Sequence, residues 1–92
     1  MTSIGHSVFV ECFQLKSITI GEAIQEIKSH AIETCTALET VTIHAATPPK
    51  AENEIFFNTQ STLKIKVPAS SVESYKTANG WSDYAEQIVG IN

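Results

Sequence analysis

A chain of 92 residues makes one small domain, 42% hydrophobic, and nothing in its composition points to disorder. Six lysines, no arginine and ten carboxylates leave a net charge of −4, which makes duplex nucleic acid a poor partner, because neutralising its backbone needs a basic face. The longest apolar stretches fall far short of a membrane span, and no charged segment followed by an apolar one marks a secretory signal.

From its N-terminal end the chain repeats itself at a spacing of 23 residues. Ile4–Ile20 laid over Ile27–Ile43 gives identical pairs at Ile4/Ile27, Cys12/Cys35, Leu15/Leu38, Thr19/Thr42 and Ile20/Ile43. Val8/Ala31, Phe9/Ile32 and Ile18/Val41 keep apolar character. A fixed period in the twenties is the signature of a solenoid. One coil cannot bury its own apolar side, so the matched positions are expected to point into a stack. If the chain starts at Met1, the first coil leaves an apolar face and an unpaired strand edge. It is then expected to self-associate or to continue upstream.

Within each coil one segment reads as a strand. In Leu15–Ile20 and Leu38–Ile43, Ile18/Ile20 and Val41/Ile43 alternate with Thr19 and Thr42, the pattern of a sheet with one wet face. The other half reads as a turn or two of helix over Ser29–Cys35, with Ser29 as cap and Ile32/Cys35 at i, i+3. Ser7–Cys12 has the same form. The cysteines are expected to stack as inward thiols about 5 Å apart. A disulfide needs Cβ atoms turned together at about 3.8 Å, so free thiols are favoured.

Ala45–Glu54, with Pro48-Pro49, has loop composition. A degenerate third coil follows. Phe57–Leu63 repeats the six-residue spacing of Phe9–Leu15, Gln60 stands in the cysteine's place, and Lys64-Ile65-Lys66-Val67 supplies a strand one residue early. After Pro68 the texture changes. A helix capped by Ser70 or Ser71 runs through Val72, Tyr75 and Lys76, and Asn79-Gly80 ends it. A second helical stretch is expected over Ser82–Ile88. Tyr75, Trp81 and Tyr84, all the Trp and Tyr of the chain, fall in this tail and suit a lid over the last coil. The expected division is coils over about 4–26, 27–47 and 48–68 and a cap over 69–92.

The frame Ile4, Gly5, Val8, Phe9, Cys12, Leu15, Ile18, Ile20 resembles the BspA-type leucine-rich repeat of bacterial surface proteins. Val67–Lys76 with Gly80-Trp81-Ser82-Asp83-Tyr84 resembles the ending of many such proteins. Lys28 in place of the frame's glycine, Ala31-Ile32, and Gly21 and His44 in place of a proline are departures that touch turn geometry. The resemblance implies an α/β repeat, a short leucine-rich-repeat solenoid with a small parallel sheet and a C-terminal helical cap. It implies a cell-surface or secreted location, adhesion or protein binding, and no catalytic machinery.

The wet sheet face is the candidate binding surface: Ser17, Thr40 and Lys64 in one column, Thr19, Thr42 and Lys66 in the next, with Lys16 and Glu39 as an oppositely charged pair. The partner expected there is a protein, with host extracellular or cell-surface proteins as candidates. Threonine ladders also serve strand propensity and cross-strand packing alone. Neither cofactor nor metal is expected, because no C-x-x-C or H-x-x-x-H spacing exists; His6 and His30 fall one residue out of register. No strained elbow, phosphate loop or carboxylate pair frames an enzyme. Asp83 suits a helix cap, and Trp81 packing rather than a sugar platform. A structural cap for a longer solenoid and a glycan-binding module centred on Trp81 are the alternative readings.

Overall fold

The computed structural model describes residues 3–5, 9–52, 54–60 and 62–91. Each coil has three sides and one strand on each. The first coil contributes β1 (Ser3–Ile4), β2 (Phe9–Val10) and β3 (Ser17–Ile20). β4 (Glu26–Ile27), β5 (Ile32–Glu33) and β6 (Thr40–Ile43) follow, then β7 (Lys50–Ala51), β8 (Phe56–Phe57) and β9 (Lys64–Pro68). Equivalent strands pair in parallel, giving sheets ordered β1-β4-β7 and β2-β5-β8 and a larger one completed by β10 (Ile88–Ile91), in the order β10-β9-β6-β3. The identities read from the sequence become ladder partners: Ile4 with Ile27, Ile18 with Val41, Thr19 with Thr42, Ile20 with Ile43.

Alternation then decides what is buried. Along β3 and β6 the side chains of Ile18, Ile20, Val41 and Ile43 face in, and the residues between them face out. Ile27, Ile32, Leu38, Val41, Ile43, Ile55, Leu63, Ile65 and Val67 are all at most 1% exposed. Each such side chain contributes at most about 1.5–3 kcal/mol relative to exposure. These inward columns hold the coils together, since two-residue strands have no stability of their own.

The helical reading of Ser29–Cys35 is corrected: this half of the coil is the strand β5 between two sharp corners. Its Cys12 counterpart has β2 at Phe9–Val10, while His6, Ser7 and Val8 lie outside the described residues. The cause is backbone handedness. Glu11, Thr34 and Asn58 occupy one corner of successive coils with φ of 53°, 55° and 57°, and His30 and Glu54 occupy another with φ of 53° and 54°. A right-handed helix cannot pass through a left-handed residue, which costs roughly 1–2 kcal/mol when it is not glycine. Repeated ladder bonds offset that cost: Glu11 N–H to Glu33 C=O at 2.9 Å, Thr34 N–H to Phe57 C=O at 2.8 Å, His30 N–H to Glu54 C=O at 2.9 Å. Ile32 and Cys35 do both face inward, but the turn at Thr34 brings this about.

In the third coil the inward residue is Phe56, paired with Ile32, and Phe57 faces out, 40% exposed. Alignment on Phe57 is therefore one residue late. The slip cancels: from the inward residue here to the first inward residue of the next strand is nine positions in every coil (Phe9 to Ile18, Ile32 to Val41, Phe56 to Ile65). Gln60 does take the cysteine's place, where its Nε2 donates to Leu38 C=O at 2.7 Å. Cys12 is a half-buried and Cys35 a buried free thiol.

The tail begins with a 3-10 turn over Ala69–Ser71 and α1 (Val72–Thr77). Ser71 stands at the N-cap of α1 but makes no capping bond; its hydroxyl donates to Ala46 C=O at 2.6 Å. Gly80 has φ +84°, and a Cβ there would meet Ala51 C=O at 2.5 Å, so both conformation and space demand glycine. The second helical stretch is a 3-10 helix over Ser82–Gln87, with Trp81 rather than Asp83 at its N-cap. Ile88 already belongs to β10, which pairs in parallel with β9 from Ile88/Ile65 to Ile91/Pro68. The tail thus seals the third coil and also extends the sheet.

Candidate functional site

The parallel register assembles the expected surface on the outer face of the β10-β9-β6-β3 sheet. Ser17, Thr40 and Lys64 are ladder partners, as are Thr19, Thr42 and Lys66. Ser17, Thr19, Lys64 and Lys66 are exposed; Thr40 and Thr42 are half-buried between their neighbours. Lys16 and Glu39 enter adjacent strands with exposed side chains, and their backbones are joined by Glu39 N–H to Lys16 C=O at 2.8 Å. No ion pair joins the two side chains among the described residues. Three lysines against one glutamate make this face cationic on an acidic chain.

The sequence reading missed the fourth strand. Val89 pairs with Lys66 and Ile91 with Pro68, both half-buried, so the column Thr19–Thr42–Lys66 continues to an apolar side chain, with Ile91 beside Pro68. The period-two spacing of Val89 and Ile91 was the available signal. Hydroxyl groups, ammonium groups and apolar area thus lie side by side on one face.

The aromatic tail is interior structure. Tyr75 and Trp81 are both 0% exposed and meet edge-to-face, centroids 5.1 Å apart at 79°. Trp81 also packs on Phe56 at 6.3 Å, and Phe56 on Tyr84 at 5.2 Å. Each polar tip reaches a backbone group of the coils: Tyr75 hydroxyl to Ala45 C=O at 2.7 Å, Trp81 Nε1–H to Pro49 C=O at 2.9 Å, Tyr84 hydroxyl to Phe56 C=O at 3.2 Å. Gln87 Nε2 adds a bond to Leu63 C=O at 3.0 Å. Burial pushes the Tyr75 phenol up to about 12, and raises Tyr84 as well. A tryptophan with no exposed face cannot stack on a sugar, which removes the glycan reading centred on Trp81.

Lys28, Cys35 and His30 have structural partners. Lys28, the departure from the family's glycine, links two coils: Nζ lies 3.0 Å from Glu26 Oε2 and 3.6 Å from Glu52 Oε2, and the hydrogen bond and charge of Glu26 raise its pKa. Burial raises the Cys35 thiol, whose Sγ contacts Phe9 C=O at 3.3 Å. His30 Nδ1 meets Glu33 Oε1 at 3.0 Å; His6 lies outside the described residues. Among the described residues no group of three His, Cys, Asp or Glu side chains is placed to hold a metal ion, and no helix is long and apolar enough to cross a membrane.

No curated protein matches the sequence. Residues 1–79 match the family model described as "BspA type Leucine rich repeat region (6 copies)". That span covers every coil and α1, and the register of the three sheets agrees with it. The chain therefore belongs to the BspA-type leucine-rich-repeat family, a family of protein-interaction repeats.

Proposed function

We propose that the chain is a non-enzymatic interaction module of an adhesin-like protein at the cell surface, binding a host extracellular or cell-surface protein through the outer face of β3, β6 and β9. The observation that carries this reading is the pair of outward columns, Ser17–Thr40–Lys64 and Thr19–Thr42–Lys66, with Lys16 and Glu39 at their entry. Laterally repeated columns are how solenoids commonly present a binding surface. The wild-type chain and a Thr19→Glu/Thr42→Glu/Lys66→Glu variant, probed against an array of purified extracellular proteins, test it. Binding lost in the variant supports this face; binding that the variant retains refutes it.

A second reading, a structural cap for a longer solenoid, is favoured by the density of side-chain bonds sealing the third coil. It predicts no binding by either protein. The division into coils over about 4–26, 27–47 and 48–68 and a cap over 69–92 remains part of this proposal. So does stacking at the first coil, where a cleft of about 220 Å³ is lined by Ile4, Phe9, Ile18, Ile20 and Ile24. Sedimentation equilibrium detects a second copy there as a concentration-dependent rise in mass.

A further inference from the structure

The exposed large apolar side chains among the described residues do not lie on the hydroxyl and lysine face. They are Val10, Phe13 and Phe57, at 36%, 56% and 40% exposure. Val10 and Phe57 end the outward column Val10–Glu33–Phe57 of the β2-β5-β8 sheet, and Phe13 follows in the turn after β2. Scattered exposed apolar residues are ordinary, but Val10 and Phe57 share one outward column.

The centre of this side is held in place. The His30 imidazole stacks on the Phe57 ring with centroids 4.4 Å apart and planes within 9°. His30 Nδ1 is 3.0 Å from Glu33 Oε1, and its Nε2 is 3.8 Å from Glu54 Oε2. The imidazole, stacked on the Phe57 ring, therefore lies between two carboxylates. Residues 9–13, 30–34 and 54–58 contribute Glu11, Glu33 and Glu54 and no lysine. The lysines of the coils stand elsewhere: Lys16, Lys64 and Lys66 at the large sheet, Lys28 and Lys50 at the β1-β4-β7 sheet. The charge of the solenoid is thus divided by side. A guanidinium is the cation best matched here, because it stacks on an aromatic face and pairs with carboxylates in a plane.

We propose that the outer face of the β2-β5-β8 sheet, centred on Phe57, docks a basic polypeptide segment that carries arginine beside an apolar residue. This surface is separate from the hydroxyl and lysine columns, and its test does not depend on them.

The probe is a short peptide alternating arginine and leucine, titrated into the isotope-labelled chain, with glutamate replacing arginine in the control peptide. Amide shifts confined to residues 9–13, 30–34 and 54–58 are expected, with no shifts from the control. Phe57→Ala and Glu33→Gln are each expected to weaken binding about tenfold or more. Phe57→Leu keeps apolar bulk without a ring and is expected to weaken it too. Amide dispersion matching the wild type establishes that each variant is folded. Shifts on residues 17–20, 40–43 and 64–68, shifts spread over every carboxylate-bearing side, wild-type affinity in Phe57→Ala or Phe57→Leu, or no binding at millimolar peptide overturns the proposal.

Discussion

Replacing Tyr75 with phenylalanine removes one hydroxyl from a ring with no exposed surface, and two separate effects follow. At neutral pH the Ala45 carbonyl loses the donor that lies 2.7 Å away. An acceptor left without a partner in the interior costs about 1–3 kcal/mol. A domain of this size has about 5–15 kcal/mol in total, so the loss is large on that scale. The second effect appears in alkali. The buried phenol titrates at about 12, against about 10 in the unfolded chain. Between those values the unfolded state releases the proton first, so stability present below pH 10 is lost as pH rises towards 12. That displacement corresponds to about 2–3 kcal/mol. Tyr75→Phe cannot lose this share; Tyr84, also raised by burial, retains its own. Urea unfolding at pH 7 and near pH 12, followed by Trp81 fluorescence, measures both effects. The variant is expected to be weaker at pH 7 and to lose less between the two pH values. Equal stability at pH 7 together with an unchanged alkaline loss refutes the argument.

The two adjacent phenylalanines give a second test, since Phe56→Ala empties an interior site and should cost about 3–5 kcal/mol, whereas Phe57→Ala should cost less than about 1.5 kcal/mol. Chemical denaturation of both variants checks the register of the third coil. Gly80→Ala combines a φ of +84° with a contact to Ala51 at 2.5 Å, so a loss of at least about 1–3 kcal/mol is expected, seen as a lowered Tm. Thiol alkylation of the folded chain should modify half-buried Cys12 before Cys35, which is buried with its pKa raised, and unfolding in urea should abolish the difference. Mass spectrometry of the labelled peptides reads the order.

Much of the stack was legible because a parallel ladder turns a sequence period into contacts. Ile18 over Val41, Thr19 over Thr42 and Thr42 over Lys66 all follow from spacing alone. The corners were not legible, because Glu11, His30, Thr34, Glu54 and Asn58 share a left-handed backbone without sharing a residue type. Glycine or asparagine would have signalled the turn at each; Asn58 alone does so. The inward identity of Ile32 and Cys35 was therefore read as helical spacing. Phe56 and Phe57 are alike in sequence and opposite in burial, a one-residue ambiguity that only pairing with Ile32 and Glu33 settles. β10 escaped notice because it follows directly on a 3-10 helix and includes Gly90, which has no side chain to show the alternation. The columns of the candidate surface were legible up to Lys66, and their continuation to Val89 was hidden with that strand.

One register runs through β3, β6, β9 and β10 and places alternate residues on a common outer surface. Interstrand nuclear Overhauser contacts across the whole sheet test it most directly. Parallel-strand contacts are expected to link Ile18 to Val41, Val41 to Ile65 and Ile65 to Ile88, with Thr19, Thr42, Lys66 and Val89 joined in the same way. Antiparallel contacts, a register shifted by one residue, or a tail from Ile88 to Ile91 without contacts to β9 would contradict it.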